Sequence, residues 1–332
     1  MTRRTFLAST AALAATPARS AMGLSPDCFG ISRAPRTAYE YLQYGYERGA
    51  GGVQAVLPST EPAYLARVRR RAEELGMYLE ITTALPPEDT TGFEGTVRAA
   101  KEAGARAIRS VCLGGRRYET FSSLADWNAF VADAHARLER AVRIIEKHRI
   151  PLGLENHKDW TIDEMVALLR RYQSEYLGAC IDWGNNISLC DDPAEVAEAL
   201  APFAVSSHIK DVAVEEYPDG FLLAEVPLGR GMLPLKRMLA AIRKARLPAT
   251  FSLDMLTRNP LRVPCLTDRY WATFQQRNGV FLARTLRMVR AARPPQPLAG
   301  IDGLAPEARV RLEQDNVRQS LEYARDELGL RL

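Results

Sequence analysis

The sequence is poor in histidine, with four in 332 residues, and it carries little excess of one charge: 44 lysines and arginines stand against 40 aspartates and glutamates. A net charge of +4 spread over scattered arginines, such as Arg67 to Arg71 on one predicted helix face, offers no basic stripe for a nucleic-acid partner. Its five cysteines, Cys28, Cys112, Cys180, Cys190 and Cys265, are odd in number and show no metal-type spacing, and three fall inside predicted strands. They read as buried free thiols rather than a disulfide framework, which a domain of this size does not need. Hydrophobic residues at 47% and charged ones at 25% exclude both disorder and a multi-span membrane protein.

The N-terminus follows a separate logic. Thr2-Arg3-Arg4-Thr5-Phe6-Leu7 leads into the alanine-rich run Leu7 to Ala15, which is too short to span a bilayer permanently. Paired arginines before a short apolar segment, with small residues Ala18 and Ser20 beyond it, read as a twin-arginine-type export signal over residues 1–20, cleaved after Ser20 or a few residues later. The expectation is therefore a periplasmic or secreted protein with no stable membrane association once the signal is removed. The alternative is an N-terminal helix that stays on the domain.

Beyond the signal, eight short apolar or β-branched runs alternate with helical patterns: Cys28–Ile31, Gly52–Leu57, Met77–Thr82, Ala107–Leu113, Ile150–Glu155, Gly178–Asp182, Ala204–His208 and Ala249–Asp254. Eight strands separated by helices, none close enough to its neighbour for a hairpin, imply a single parallel (β/α)₈ TIM barrel over residues 26–292. Thr161-Ile162-Asp163-Glu164 reads as a capping box, and Asp192-Pro193 as an N-cap followed by proline at the first helical position. Long connections are expected after the fourth strand (Gly114 to Leu124), the seventh (Lys210 to Leu233) and the eighth (Met255 to Asp268), at the rim where barrels store substrate recognition. Gly229 and Gly231 read as a tight turn before a helix near Pro234. A helical pattern over Trp271–Val289 runs into Arg293-Pro294-Pro295-Gln296-Pro297, which must break it. Residues 293–332 form this proline-rich linker and a C-terminal amphipathic helix from Pro306 to Leu328, whose apolar face (Val310, Val317, Leu321, Ala324, Leu328) would lie on the barrel or on a second subunit.

Four of the strands end on a potential metal ligand. Glu155, Asp182, His208 and Asp254 are 27, 26 and 46 residues apart, about what a strand, a loop and a returning helix require. Since side chains alternate along a strand, Glu155 and His157 share a direction, as do His208 and Lys210. Carboxylates with one imidazole and no thiolate suit a divalent ion such as Mn²⁺, Zn²⁺, Co²⁺ or Mg²⁺, and argue against a structural zinc site. Taken alone, Asp254 also reads as a helix N-cap or loop anchor. Arg116 and Arg117, after the fourth strand, are either an anion clamp or part of a solvated loop. His135 and His148 sit on a long helical stretch and read as surface or packing residues.

At Leu154-Glu155-Asn156-His157, Ile181-Asp182-Trp183-Gly184-Asn185, Ser207-His208-Ile209-Lys210-Asp211, Val226-Pro227-Leu228-Gly229-Arg230-Gly231 and the strand ending at Asp254, the chain resembles the xylose-isomerase-like barrel superfamily of sugar isomerases and epimerases, the sugar phosphate isomerase/epimerase family. The resemblance implies metal ligands at Glu155, Asp182, His208 and Asp254, and a substrate pocket containing His157 and Lys210. In ketose epimerases of that group the carboxylates on the fifth and eighth strands are also the two acid/base groups. Two departures weaken that pattern here: the last ligand is Asp254, one methylene shorter than the usual Glu, and Asn185 replaces a histidine with a neutral group that cannot act as an acid. A metal site and one base remain.

The expected activity is proton abstraction, by Glu155 with His157 and Lys210 orienting or protonating the oxygens, beside a metal-polarised carbonyl or hydroxyl of a free or oxidised sugar. Elimination from a keto-glycoside is a variant of the same chemistry. Asn185, Arg116 and Arg117 complete the expected substrate contacts. The alternatives are a phosphodiester hydrolase of the family's endonuclease branch, which needs more histidine ligands than this chain has, and a non-catalytic sugar-binding barrel. A homo-oligomer is compatible with the C-terminal helix.

Overall fold

The computed structural model describes residues 19–35 and 37–332; the expected signal segment lies outside the described residues up to Ala18. Eight parallel strands close into a barrel: β1 (Gly23–Leu24), β2 (Gly52–Ala55), β3 (Tyr78–Thr82), β4 (Ala107–Ser110), β5 (Leu152–Glu155), β6 (Leu177–Asp182), β7 (Ala204–Ile209) and, after the hairpin of β8 (Asp211–Tyr217) and β9 (Gly220–Val226), β10 (Thr250–Leu253). β1 pairs with β2 on one side and β10 on the other, which completes the ring.

Strand alternation sorts the side chains. Val53, Leu79, Ile81, Ile108, Leu154 and Ile181 are buried against the surrounding helices. The intervening residues Gln54, Glu80, Ser206 and Thr250 are buried and polar; Gln54 donates to Glu80 across β2 and β3, and Thr250 of β10 donates to the same carboxylate. Such an interior is tolerable because most of its polar groups find partners. The seam at β1 has its own fastening. Tyr78 accepts the Gly23 N–H and donates to the Phe251 carbonyl, and its side chain lies so close to Gly23 and Gly52 that a Cβ would come within 2.2 Å of its hydroxyl at the first and 2.3 Å of its ring at the second.

The first strand departs from expectation. Cys28–Ile31 is not a strand; β1 lies earlier, and Pro26–Phe29 forms a 3₁₀ turn capped by Ser25, whose Oγ accepts the Asp27 N–H. Serine followed by proline starts a helical turn, and that local chemistry overrides the apolar pattern after it. Arg19 and Ser20 already belong to the folded unit. The Arg19 guanidinium donates to the carbonyls of Leu75 and Ala50, and buried Ser20 donates to Leu330, so cleavage after Ser20 would remove packed residues.

Two loops are more structured than their sequence suggested. Lys210 to Leu233 contains the antiparallel hairpin β8–β9, and β11 (Leu261–Val263), from the loop after β10, adds a third strand to it. The expected helix Trp271–Val289 is two helices, Asp268–Trp271 and Gly279–Ala291, the second starting where Asn278 caps the Val280 N–H. The capping box at Thr161 and the Asp192 cap form as expected, each worth about 1 kcal/mol.

The C-terminal helix Pro306–Asp326 packs on β10 and on the turn after β1, where it completes the ring of helices. Val317, Leu321, Ala324 and Leu328 are buried, while Val310 is only partly covered. The same helix secures the mouth. Glu313 accepts the N–H groups of Ile31 and Ser32, Ser320 accepts the Leu228 N–H, and Asn316 donates to Thr257. Among the described residues no helix is long and apolar enough to cross a membrane.

Candidate active site

Glu155, Asp182, His208 and Asp254 meet at the C-terminal mouth, all buried. The tautomer of His208 follows from its neighbours. Gln54 donates its amide N–H to Glu80, so its carbonyl oxygen faces His208 Nε2 at 2.8 Å and Nε2 must carry hydrogen. Nδ1 then faces Glu155 Oε2 at 3.4 Å, Asp254 Oδ2 at 3.7 Å and Asp182 Oδ2 at 3.9 Å. Among the described residues it has no hydrogen-bond partner. These separations are long for hydrogen bonds. They lie near the spacing of ligands that share one ion, since two atoms each about 2.1 Å from a metal stand roughly 3.0–3.4 Å apart. The buried, unpartnered Nδ1 among three carboxylates fits a divalent ion. The field at this point demands positive charge: Cys180, Glu155 and Asp254 outweigh the effect of burial and raise the imidazole pKa to about 10.

Each carboxylate is aimed by its surroundings. Asn156 clips the end of β5 to that of β6, accepting the Asp182 N–H and donating to the Asp182 carbonyl. Asp182 Oδ1 accepts the N–H groups of Gly184 and Asn185, leaving Oδ2 toward the cluster. Asp254 follows β10 and is not a helix cap; Ser25 donates to its Oδ1 at 2.6 Å while Oδ2 meets Lys210 Nζ at 2.8 Å. Lys210 Nζ is also 2.8 Å from Asp182 Oδ2, and the two carboxylates outweigh burial to hold its pKa above the ordinary value. Glu155 accepts from Arg109 Nε at 2.6 Å on Oε2 and from Asn185 Nδ2 at 3.2 Å on Oε1. Burial would raise its pKa, but Arg109 and His208 hold it down at about 2.

The cluster opens into a cavity of about 290 Å³ whose lining includes Asp27, Arg109, His157, Lys158, Lys210 and Arg258. His157 Nδ1 donates to the Gly115 carbonyl at 3.1 Å, so Nε2 presents a lone pair; burial, reinforced by Lys158, lowers this imidazole to about 4 and keeps it neutral.

Residues 42–272 match the family described as Xylose isomerase-like TIM barrel. The chain belongs to that family. A 3-oxo-isoapionate decarboxylase of Pectobacterium atrosepticum is 31% identical, the alignment covering 67% of this chain and 81% of the relative. Among solved structures, a D-psicose 3-epimerase determined in the presence of D-fructose superposes with a TM-score of 0.61 at 14% identity, covering 93% of this chain and 99% of that one. A xylose isomerase-like barrel from Mycobacterium smegmatis in complex with magnesium gives 0.54 at 16% identity, covering 83% and 99%. At such identities these two establish the fold.

Within this xylose isomerase-like barrel, the structure brings together Glu155, His157, Asp182, Asn185, His208, Lys210 and Asp254. Arg116 lines the cavity, paired with Glu119. Arg117 does not: its side chain is 1% exposed, pairs with Glu164 and donates to Thr273 and Asp159, so neither an anion clamp nor a solvated loop describes it. His135 and His148 bond Tyr172 and Glu94 on the outer helices. Sequence reasoning missed Arg109, Lys158, Gln54 and Arg258. A signal existed for the first two: Arg109 is a charge inside an apolar strand run, and Lys158 directly follows Glu-Asn-His.

Proposed function

We propose that this protein is a divalent-metal-dependent enzyme that breaks a bond to carbon beside a carbonyl of a free or oxidised sugar. The observation that carries the reading is the unpartnered His208 Nδ1 facing three carboxylates at the floor of a cavity. Glu155, Asp182, His208 and Asp254 would hold Mn²⁺, Zn²⁺, Co²⁺ or Mg²⁺. Bound there, the ion would serve as a Lewis acid toward a substrate carbonyl or hydroxyl. Lys210 places an ammonium where negative charge develops on that oxygen, and neutral His157 can accept a hydrogen bond or proton from a substrate hydroxyl through Nε2.

In the isomerase or epimerase form of the reaction, Glu155 removes a proton from the α-carbon. A second form is favoured by a specific observation. Arg109 Nε donates to Glu155 Oε2 at 2.6 Å, which engages the oxygen that would take the proton and holds the carboxyl below its ordinary range, making it a weaker base. Loss of carbon dioxide from a 3-oxo acid needs no such base: the C–C bond breaks, its electrons pass to the polarised carbonyl, and the carbon is later protonated. The 31% identical decarboxylase supports this form. Export through a twin-arginine signal remains part of the proposal and supports a free or oxidised sugar over a sugar phosphate.

The test is to strip the purified protein of metal, reload it with each of the four ions, and supply keto-sugars and 3-oxo sugar acids in D₂O. Metal-dependent deuterium incorporation at the α-carbon supports the first form and metal-dependent CO₂ release the second. No turnover of either kind with any ion would overturn the reading.

A further inference from the structure

The cavity contains five cations, and four of them are matched. Arg109 pairs with Glu155, Arg116 with Glu119, Lys210 with Asp182 and Asp254, and Arg258 with Glu225. Lys158 is the exception. Its residue is 4% exposed, and among the described residues none of the ion pairs includes it. Among the described residues its ammonium donates only to the neutral Asn185 Oδ1, and the carboxylates in its field, Asp182 and Glu225, already serve Lys210 and Arg258. Burying an ammonium is costly unless it is paired, so an unmatched one on a cavity wall is poised for a charge that arrives with the ligand.

The position is well determined. The Lys158 carbonyl accepts the Arg117 N–H at 2.8 Å, which ties its backbone to the loop after β4. Asn185 is oriented at both ends, with Oδ1 toward Lys158 and Nδ2 toward Glu155. The anchor therefore stands one amide away from the metal-ligand cluster, and a ligand held at both points would span only a few carbons.

We propose that Lys158, oriented by Asn185, is the binding residue for a carboxylate of the substrate, which makes the substrate a sugar acid rather than a neutral sugar. This rests on the functional reading above and narrows it. A phosphate shares the oxyanion chemistry, but one unmatched ammonium suits a single negative charge, and a phosphate dianion would call for a second free cation.

The experiment uses Mn²⁺-loaded full-length protein and calorimetric titration with D-gluconate and D-glucuronate, against the neutral D-glucitol and D-glucose, with inorganic phosphate as a further probe. In wild type at least one acid should bind more tightly than its neutral counterpart. Lys158→Met should weaken that acid tenfold or more and leave the neutral compounds and the Mn²⁺ affinity within twofold, while Lys158→Arg keeps part of the preference. Melting temperature tests folding; Lys158→Met removes a buried charge, so the variant should remain folded. Equal weakening of acids and neutral compounds, no effect on either acid, or no preference for an acid in wild type would overturn the proposal. So would Lys158-dependent binding of phosphate without that of the acids. Lys158-dependent binding of an acid by a chain that takes up no Mn²⁺ would sustain this inference and defeat the metal reading.

Discussion

Two buried clusters of charge sit close together in this barrel, and they differ in how completely they are satisfied. Around Arg117, the guanidinium donates to Thr273 Oγ1 at 2.9 Å, the Thr273 carbonyl at 2.6 Å, the Asp159 carbonyl at 3.2 Å and Glu164 Oε2 at 2.7 Å. It lies 3.6 Å from the ring centre of Trp127 and 4.3 Å from that of Phe274. Four of its five N–H donors are answered by acceptors within the protein, and it packs against two aromatic rings. At the mouth, by contrast, among the described residues His208 Nδ1 lacks a hydrogen-bond partner and Lys158 a counter-charge, and three carboxylates crowd one point. The first cluster is complete without a ligand and holds loops together. The second is complete only with one. Buried charge alone does not mark a function; the atoms left over do.

The sharpest way to break this comparison is to exchange the consequences of mutation between the two clusters. Glu155→Gln should lower turnover by roughly 10²–10⁴-fold, part of it through weakened metal binding. Arg117→Met should act chiefly on stability, costing about 2–4 kcal/mol in chemical denaturation because it leaves the buried Thr273 and Asp159 carbonyls without their donor, while correctly folded enzyme at low temperature keeps most of its activity. An Arg117→Met variant whose folded form loses as much activity as Glu155→Gln would erase the distinction.

The contrast also explains what was legible in the sequence. Strand-end residues Glu155, Asp182, His208 and Asp254 could be found because a barrel's period places them on one rim, and seven of the eight strands are recognisable from their apolar runs. β1 was not, since two residues carry no periodicity and its position depends on pairing with β2 and β10. The hairpin β8–β9 was hidden because Asp211–Tyr217 and Gly220–Val226 lie in a stretch expected to be loop, and their pairing is completed by β11 from a distant segment. Arg117 was misplaced for the same reason. Its partners Glu164 and Thr273 are 47 and 156 residues away, and nothing local distinguishes it from Arg116.

A smaller effect sharpens the comparison through pH. Asp159, whose backbone carbonyl serves Arg117, has its carboxyl raised by burial from 3.8 to about 7, although the N–H groups of Trp160 and Leu113 partly offset this. The folded protein then keeps a proton that the unfolded chain releases between about pH 4 and pH 7, so this group lowers stability as pH rises through that window and has no further effect above it. Asp159→Asn should abolish that slope, its stability relative to wild type improving with pH by up to about 4 kcal/mol. Urea titrations at pH 5, 6, 7 and 8 would show the two curves separating, and parallel curves would place the Asp159 pKa near its ordinary value.

The claim that the mouth is completed by a metal has the most direct test. Metal-stripped wild type, Asp182→Asn and His208→Gln would be titrated with Mn²⁺ by calorimetry and electron paramagnetic resonance. The expected result is one ion per wild-type chain, a stabilisation of about 2.7 kcal/mol at a hundredfold excess over the dissociation constant, and at least a tenfold loss of affinity in each variant. Wild type that binds no ion, or an ion held equally well by both variants, would contradict the account.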